Sequence, residues 1–75
     1  MIDVLFFGRV ADDTGKRRMQ IALPGEGLSL SALRAQLFSE DDARLRMSVN
    51  QIVVTGDQNL RDGDEVAFFS VFSGG

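Results

Sequence analysis

The last three residues of the chain, Ser73-Gly74-Gly75, are the ones whose types and positions best suit chemistry. Glycine has no side chain and is free in φ and ψ, so Gly74 and Gly75 form a narrow backbone that ends in the α-carboxylate. Such a tail can enter a tunnel in a partner protein and present its carboxylate for covalent activation. A chance pair of glycines or a frayed terminus is the alternative, because chain ends are commonly disordered. The residues that precede the tail must therefore decide between a functional tail and a chance terminus.

Composition limits the other chemistry that is available to the chain. The 75 residues include no histidine and no cysteine, which removes the usual acid–base side chain, thiolate nucleophiles, disulfides and the usual zinc ligands. The formal net charge of −3 argues against nucleic-acid binding and favours a basic protein partner. The apolar opening is too short to span a membrane and lacks the basic flank of a signal peptide. We predict a single cytoplasmic domain that binds no metal.

The first part of the chain predicts an antiparallel hairpin. Residues 2–9 and 17–23 alternate apolar and other side chains, as half-buried strands do. The side chains predicted to face inward are Ile2, Val4, Phe6, Met19, Ile21 and Leu23. A short polar connection at residues 11–15, with at most one helical turn, joins the two strands. Residues 24–27 (PGEG) end the second strand in a loop.

The pattern then changes to a helical period. Ser29 is placed to cap the N-terminus of a helix that runs to about Phe38. The inward side chains of this helix are predicted to be Leu30, Leu33 and Leu37. A second, short helical turn is expected to begin within residues 39–43 and to continue through Leu45 and Met47.

The remaining residues predict strands. Residues 48–55 are predicted to form one strand, and the turn signal at 62–64 (DGD) precedes a last strand at 65–69. A short strand is expected between residues 55 and 65. A helix across one face of a mixed sheet is the economical arrangement for this order of elements. We predict an α+β, ubiquitin-like β-grasp fold of four to five strands over residues 1–69, followed by a flexible tail at residues 70–75.

The sheet face opposite the helix has no remaining element to cover it. Alternation places Phe7 of the first strand and Phe69 of the last on this face, with Val53 nearby if Ile52 and Val54 point inward. Large exposed apolar side chains often mark a partner surface, although scattered surface apolars are also common in small domains. We predict that Phe7, Val53 and Phe69 bind a partner, because aromatic anchors beside a functional tail suit one docking event.

Four segments resemble the small, sulfur-carrier subunits of molybdopterin synthase, a ubiquitin-like family. These segments are residues 1–8 (MIDVLFFG), 49–51 (VNQ), 62–69 (DGDEVAFF) and 73–75 (SGG). The resemblance spans almost the whole chain in the same order. It implies that a ubiquitin-activating-like enzyme uses MgATP to adenylate the carboxylate of Gly75, and that a sulfur donor protein converts it into a thiocarboxylate.

The resemblance also implies the partners and the role of each tail residue. The large catalytic subunit would receive the tail and pass its sulfur to cyclic pyranopterin monophosphate. Gly75 would be the covalent carrier, Ser73 and Gly74 would complete the tail, and this chain would bind no cofactor. One departure is Ser70-Val71, which stands where the family often has a proline pair, so the tail should be less stiff. A second departure from the family is the segment between the helix and Val49, which is short.

Other functions could use the same activated tail. One is a sulfur carrier for thiamine synthesis or another thiolation pathway, and another is a ubiquitin-like modifier that is joined to lysines of other proteins. The opening residues 1–8 and the Phe68-Phe69 end of the last strand favour the molybdenum pathway, and the terminal glycines disfavour a purely structural module. Acidic clusters such as 62–65 are interpreted as turn formers rather than metal ligands. The basic segment 16–18 is interpreted as protection of a sheet edge.

Overall fold

The computed structural model describes residues 1–38 and 44–70. Within these ranges the elements in chain order are β1 (Ile2–Phe6), α1 (Gly8–Thr14), β2 (Arg18–Ile21), α2 (Leu30–Leu37), β3 (Leu45–Val49), β4 (Ile52–Val54) and β5 (Glu65–Ser70). The strands form one sheet in the order β2-β1-β5-β3-β4. The central pair β1–β5 is parallel, and the other neighbouring pairs are antiparallel. No helix in the described ranges is long and apolar enough to cross a membrane.

One apolar core joins the sheet to α2. Its buried members are Ile2, Val4, Phe6, Val10, Leu28, Leu30, Leu33, Leu45, Val49, Leu60, Val66 and Phe68. The alternation predicted for β1 and β2 is confirmed, because every side chain predicted to face inward there is buried or packs against this cluster. The central strands β1 and β5 contribute most of the fully buried side chains, so the core is centred beneath them.

The main helix agrees with its prediction. The Ser29 hydroxyl accepts a hydrogen bond from the backbone N–H of Ala32 at 3.1 Å and so caps one of the unpaired donors of the first turn. Leu30 and Leu33 are fully buried, and Leu37 packs against the core while remaining partly exposed. The helix ends at Leu37 because Phe38 is extended, with φ −130°.

The first connection is more helical than predicted. β1 ends at Phe6 rather than at residue 9, and the helix α1 occupies Gly8–Thr14, where at most one turn was expected. The side chain of Val10 is buried in the core and packs α1 against the rest of the domain. Gly15 ends α1 in the left-handed conformation, with φ 73°, and its N–H donates to the carbonyl of Ala11.

The predicted second helical turn is wrong where the structure describes it. Leu45 and Met47 lie in β3, and residues 39–43, where that turn would begin, lie outside the described residues. A spacing of two residues is the period of a strand rather than of a helix. Both side chains therefore reach the same face, where Leu45 is buried and Met47 packs against the core.

The predicted continuous strand at 48–55 is also wrong. Asn50 and Gln51 have positive φ, 52° and 71°, and form the two-residue turn between β3 and β4. Two consecutive residues with positive φ match the hairpin turn whose twist suits antiparallel strands. The short strand expected between residues 57 and 62 is reduced to a single bridge between Asn59 and Ser29. Nearby, Leu60 fills the core.

Candidate functional site

The predicted tail begins where β5 ends. β5 is the central strand, paired with β1 on one side and with β3 on the other. Its last residue, Ser70, pairs with Leu45 at the start of β3, so the first residue of the predicted tail is part of the sheet. Ser73, Gly74 and Gly75 lie outside the described residues. The end of β5 fixes the point from which residue 71 must continue.

Strand register defines the sheet face that points away from the core, which we call the open face. Residues that pair directly in neighbouring strands point to the same side of a sheet. One row across the open face consists of Arg18, Leu5, Ala67, Ser48 and Val53. Phe69 pairs with Arg46 one step nearer to the end of β5. Asp3 pairs with Glu65 one step farther from it.

The three predicted docking residues occupy different parts of this region. Val53 lies on the open face in the edge strand β4 and is 59% exposed. Phe69 lies on the same face in the central strand and is half-buried. Ile52 and Val54 share the core side of β4, as expected, because they pair with the core residues Val49 and Met47. Ile52 is nevertheless 68% exposed, since β4 is the outermost strand.

Phe7 reaches the same end of the sheet by a different route from the one predicted. It follows β1 rather than belonging to it, and it is the residue that precedes the first residue of α1. Its backbone N–H donates to the carbonyl of Phe68 at 3.0 Å, which holds it beside the last part of β5. Its side chain is 52% exposed. Phe7 and Phe69 therefore both lie near the point where the tail begins.

Sequence analysis missed the small residues at the centre of the open face. Ala67 and Ser48 are paired neighbours on β5 and β3, and both are buried although the two described helices, α1 and α2, pack on the core side. Their short side chains make a flat strip between Phe69 and Val53. Alternation along β5 from Phe69 assigns Ala67 to this face, and alternation along β3 from the core residue Val49 assigns Ser48 to it. The sequence alone does not show that the two residues are adjacent, because that depends on the strand register.

An aromatic cluster supports the end of β5 from the core side. The ring centroids of Phe68 and Phe38 are 5.1 Å apart, and those of Phe68 and Phe6 are 6.0 Å apart. Phe6 and Phe38 meet edge to face at 6.3 Å. Such pairs add stability beyond the area that they bury. The cluster gives the strand that carries the tail a rigid base.

Three carboxylates outside the strands, those of Asp57, Asp62 and Asp64, are used in turns, in a helix cap and in an ion pair with the N-terminus. Hydrogen bonds from the backbone N–H and then the hydroxyl of Ser31 hold the pKa of the Asp57 carboxyl below its usual range. The N-terminal ammonium donates to Asp62 and lowers the pKa of that carboxyl by the hydrogen bond and by its charge. Asp64 accepts from the backbone N–H of Arg61 at 2.7 Å. The bond from Arg61 lies within the turn, as the interpretation of Asp64 as a turn former requires.

Comparison with known proteins places this geometry in a family. Residues 4–75 match the ThiS family. The molybdopterin synthase sulfur carrier subunit of Escherichia coli (strain K12) is 36% identical over 83 aligned positions, which cover the whole of both chains. The crystal structure of SAMP1 from Haloferax volcanii has a TM-score of 0.74 at 22% identity and matches over 99% of this chain and 98% of that chain. This likeness confirms the predicted ubiquitin-like β-grasp fold, and the match over residues 4–75 shows that the chain belongs to the ThiS family.

Proposed function

We propose that this chain is a sulfur carrier that delivers sulfur for molybdopterin synthesis from a thiocarboxylate at Gly75. The observation that carries the proposal is the full-length, 36% identical relationship to a molybdopterin synthase sulfur carrier subunit. The family match extends through Gly75 and so includes the glycine pair.

The chemistry proposed for Gly75 has two steps. A carboxylate is a poor electrophile, so a ubiquitin-activating-like enzyme first joins it to the AMP part of MgATP and releases pyrophosphate. Sulfide supplied by a sulfur donor protein then attacks the acyl carbon, so that a carbon–sulfur bond forms, the carbon–oxygen bond to the phosphate breaks and AMP leaves. In the large catalytic subunit of molybdopterin synthase, the thiocarboxylate sulfur passes to cyclic pyranopterin monophosphate.

The geometry of the domain suits a carrier that a partner must bind before the tail reacts. The tail follows the central strand β5, whose end is supported by the aromatic cluster of Phe6, Phe38 and Phe68. A rigid base fixes the point at which a docked partner must receive the chain, which lowers the cost of ordering the complex. We assign docking to Phe7, Val53 and Phe69, because they surround the flat centre of the open face and the end of β5.

This chain contributes the reacting carboxylate and the binding surface, and its partners contribute the catalytic groups. The sequence has no histidine or cysteine to act as a base or nucleophile. We therefore assign nucleotide and magnesium binding to the activating enzyme and the sulfur relay to the donor protein. All of these reactions would take place in the cytoplasm.

Reconstitution with purified activating enzyme, sulfur donor and large subunit tests the proposal. Deleting Gly75 should leave the fold and docking intact but abolish molybdopterin formation, because the carboxylate would stop about 3.3–3.6 Å short of the reacting centre. A misplacement of about 1 Å can already cost a hundredfold in rate. Ser73→Ala keeps the length of the tail and should retain activity, which makes it the matched control.

The products of the same experiment separate the competing functions. Transfer of sulfur to cyclic pyranopterin monophosphate supports the proposal. Transfer only to a thiamine precursor or another thiolation substrate, or formation of an amide with lysines of other proteins, would assign the activated tail to a different pathway. Full molybdopterin synthesis by the chain without Gly75 would rule out the carrier mechanism.

A further inference from the structure

The two edges of the sheet differ in how they are protected against pairing with another sheet. The strand order places β2 at one edge and β4 at the other. Residues 16–18, which lead into β2, are all basic, and such charges discourage edge pairing. Residues 51–56, which contain β4, include no charged side chain and no proline. The remaining protection of β4 is its length of three residues.

The side chains of β4 leave apolar surface on both faces of this edge. Ile52 lies on the core side and is 68% exposed, and Val53 lies on the open face and is 59% exposed. Large apolar side chains exposed on both faces of an edge strand are the condition that favours the addition of a further strand. A strand placed beside β4 would cover both of them.

The backbone N–H and C=O of Val53 point away from β3. The two-residue turn that begins at Asn50 is closed by the pair Val49–Ile52, which exchanges both backbone hydrogen bonds. Bonded and non-bonded pairs alternate along antiparallel strands, so Ser48–Val53 is a non-bonded pair. The N–H of Asn50 donates to β5 at 2.8 Å, which gives Ser48 the same orientation toward β5. Among the described strands, none pairs with the outer side of Val53.

We propose that β4 pairs antiparallel with β4 of a second copy of this chain, about a two-fold axis at Val53. The two Val53 residues then exchange N–H···O=C bonds, and the sheet continues through ten strands, five from each copy. Ile52 of each copy lies opposite Val54 of the other, which gives two apolar cross-strand pairs on the core side. A register centred on Val54 would place Ile52 opposite Gly56 and lose them. The inference is independent of the proposed carrier function.

A cavity beside β4 favours the register centred on Val53. It has a volume of about 200 Å³, and its wall includes Leu30 of α2, Met47 of β3 and Thr55 at the end of β4. Met47 is the partner of Val54, so the cavity lies on the core side of the same edge. Ile52 of the second copy, opposite Val54, reaches that side of the sheet and gains apolar contacts there.

The dimer should be weak and reversible. Stable interfaces bury about 1,200–2,000 Å², and the pairing of three-residue strands covers much less. The net charge of −3 on each copy also opposes association. Because the paired strands are themselves uncharged, added salt should screen this repulsion and strengthen the dimer. An interface held by ion pairs would respond in the opposite way.

Sedimentation equilibrium and amide hydrogen exchange of the full chain test the inference. The weight-average mass should rise from that of one chain towards that of two between about 10 μM and about 1 mM protein. Over the same range, exchange of the Val53 amide should slow at least twofold, because this N–H becomes bonded to the second copy. A chain that stays monomeric at about 1 mM would overturn the inference. So would a Val53 amide that is protected only when the large subunit or the activating enzyme is added.

Two variants locate the contact. Val53→Pro removes the outward N–H but none of the bonds to β3, and Val53→Thr is its matched control, because it keeps the N–H and the branched side chain. Ile52→Lys places a charge in the contact, and Gln20→Lys, which makes the same charge change in the other edge strand β2, is its control. Val53→Pro and Ile52→Lys should remain monomeric at concentrations where both controls dimerise.

The same variants separate loss of pairing from loss of the fold. Their melting curves should stay close to that of the unaltered protein, because Ile52 and Val53 are both more than half exposed. Ile52→Lys also reduces the net negative charge, so its failure to dimerise would oppose the general electrostatic trend. A dimer that persists in both Val53→Pro and Ile52→Lys would place the contact elsewhere and overturn the inference. The carrier function would stand in either case.

Discussion

Two adjacent phenylalanines in β5 should respond to the same substitution in opposite ways. Phe68 is fully buried and packs against Phe6 and Phe38, whereas Phe69 is half-buried on the open face. Replacing either with alanine removes the same atoms from the same strand. We expect Phe68→Ala to destabilise the fold and Phe69→Ala to weaken partner binding, because successive residues of a strand face opposite sides of the sheet.

The sizes of the two effects can be estimated from burial. Phe→Ala in a packed core costs about 3–5 kcal/mol, and a chain of 75 residues has a total free energy of unfolding of about 4–11 kcal/mol. Phe68→Ala should therefore remove a large fraction of the stability and lower Tm by more than about 12 °C. Phe69→Ala should cost less than about 1.5 kcal/mol of folding, but raise the Kd for a partner about thirtyfold, since an interface anchor is worth about 2 kcal/mol.

Urea denaturation and isothermal titration calorimetry with the large subunit and the activating enzyme measure both quantities. Phe69→Glu should weaken binding further while retaining the fold, and Phe7→Ala should weaken binding with a similarly small loss of stability. Equal losses of stability for Phe68→Ala and Phe69→Ala would refute the face assignment. Unchanged affinity of both partners for Phe69→Ala would show that the open face is not the docking surface.

Further predictions concern the helix, the β3–β4 turn and the pH dependence of stability. Leu33→Ala should lower the free energy of unfolding in urea by about 2–5 kcal/mol, because Leu33 is fully buried; a loss below about 1 kcal/mol would contradict this. Gln51→Gly should raise that free energy by up to about 1 kcal/mol by relieving its positive φ of 71°, whereas Gln51→Ala should bring no comparable gain. Asp57→Asn should destabilise at neutral pH, because Ser31 lowers the pKa of Asp57 from 3.8. That contribution is present above the ordinary pKa and is lost as pH falls through the lowered one, so a difference that stays constant from pH 7 to pH 3 would refute it.

Sequence patterns predicted the elements whose local signals agree with their packing. The alternation of Ile2, Val4 and Phe6 and the cap at Ser29 each report one face or one end of a single element, so no tertiary information was needed. α1 was underestimated because its ends carry weak signals: residue 8 is glycine, and Phe7 makes no side-chain cap. Burial of Val10 against the sheet stabilises this helix, and burial cannot be read from local sequence.

The β3–β4 hairpin was missed for a different reason. An Asn-Gln pair is a weaker turn signal than Asn-Gly, because a positive φ is strained for glutamine and unstrained for glycine. Asn50 offsets part of this cost through contacts that are distant in sequence. Its side-chain amide donates to Asp64 at 3.0 Å, and its side-chain oxygen accepts from the N–H of Glu65 at 3.1 Å. These bonds exist only once β5 lies beside β3.

The candidate site was predictable in type but not in layout. Terminal glycines and exposed aromatics indicated a tail and a docking face, since both signals are local. The positions of Arg18 and Arg46 on either side of β5 depend on a strand order in which the last strand lies between the first and the third. Alternation with Met19 already places Arg18 on the outward face, but the positions of Arg18 and Arg46 relative to β5 could not be assigned without that order.

The most direct test of the carrier function is the mass of the intact protein before and after incubation with activating enzyme, MgATP and a sulfur donor, followed by fragmentation to locate the change. The account predicts a gain equal to the difference between one sulfur and one oxygen atom, confined to Gly75, and its loss after turnover with the large subunit. Omitting ATP should prevent the gain. A protein whose mass stays unchanged with all components present, or whose added sulfur maps to any residue other than Gly75, would contradict the proposed function.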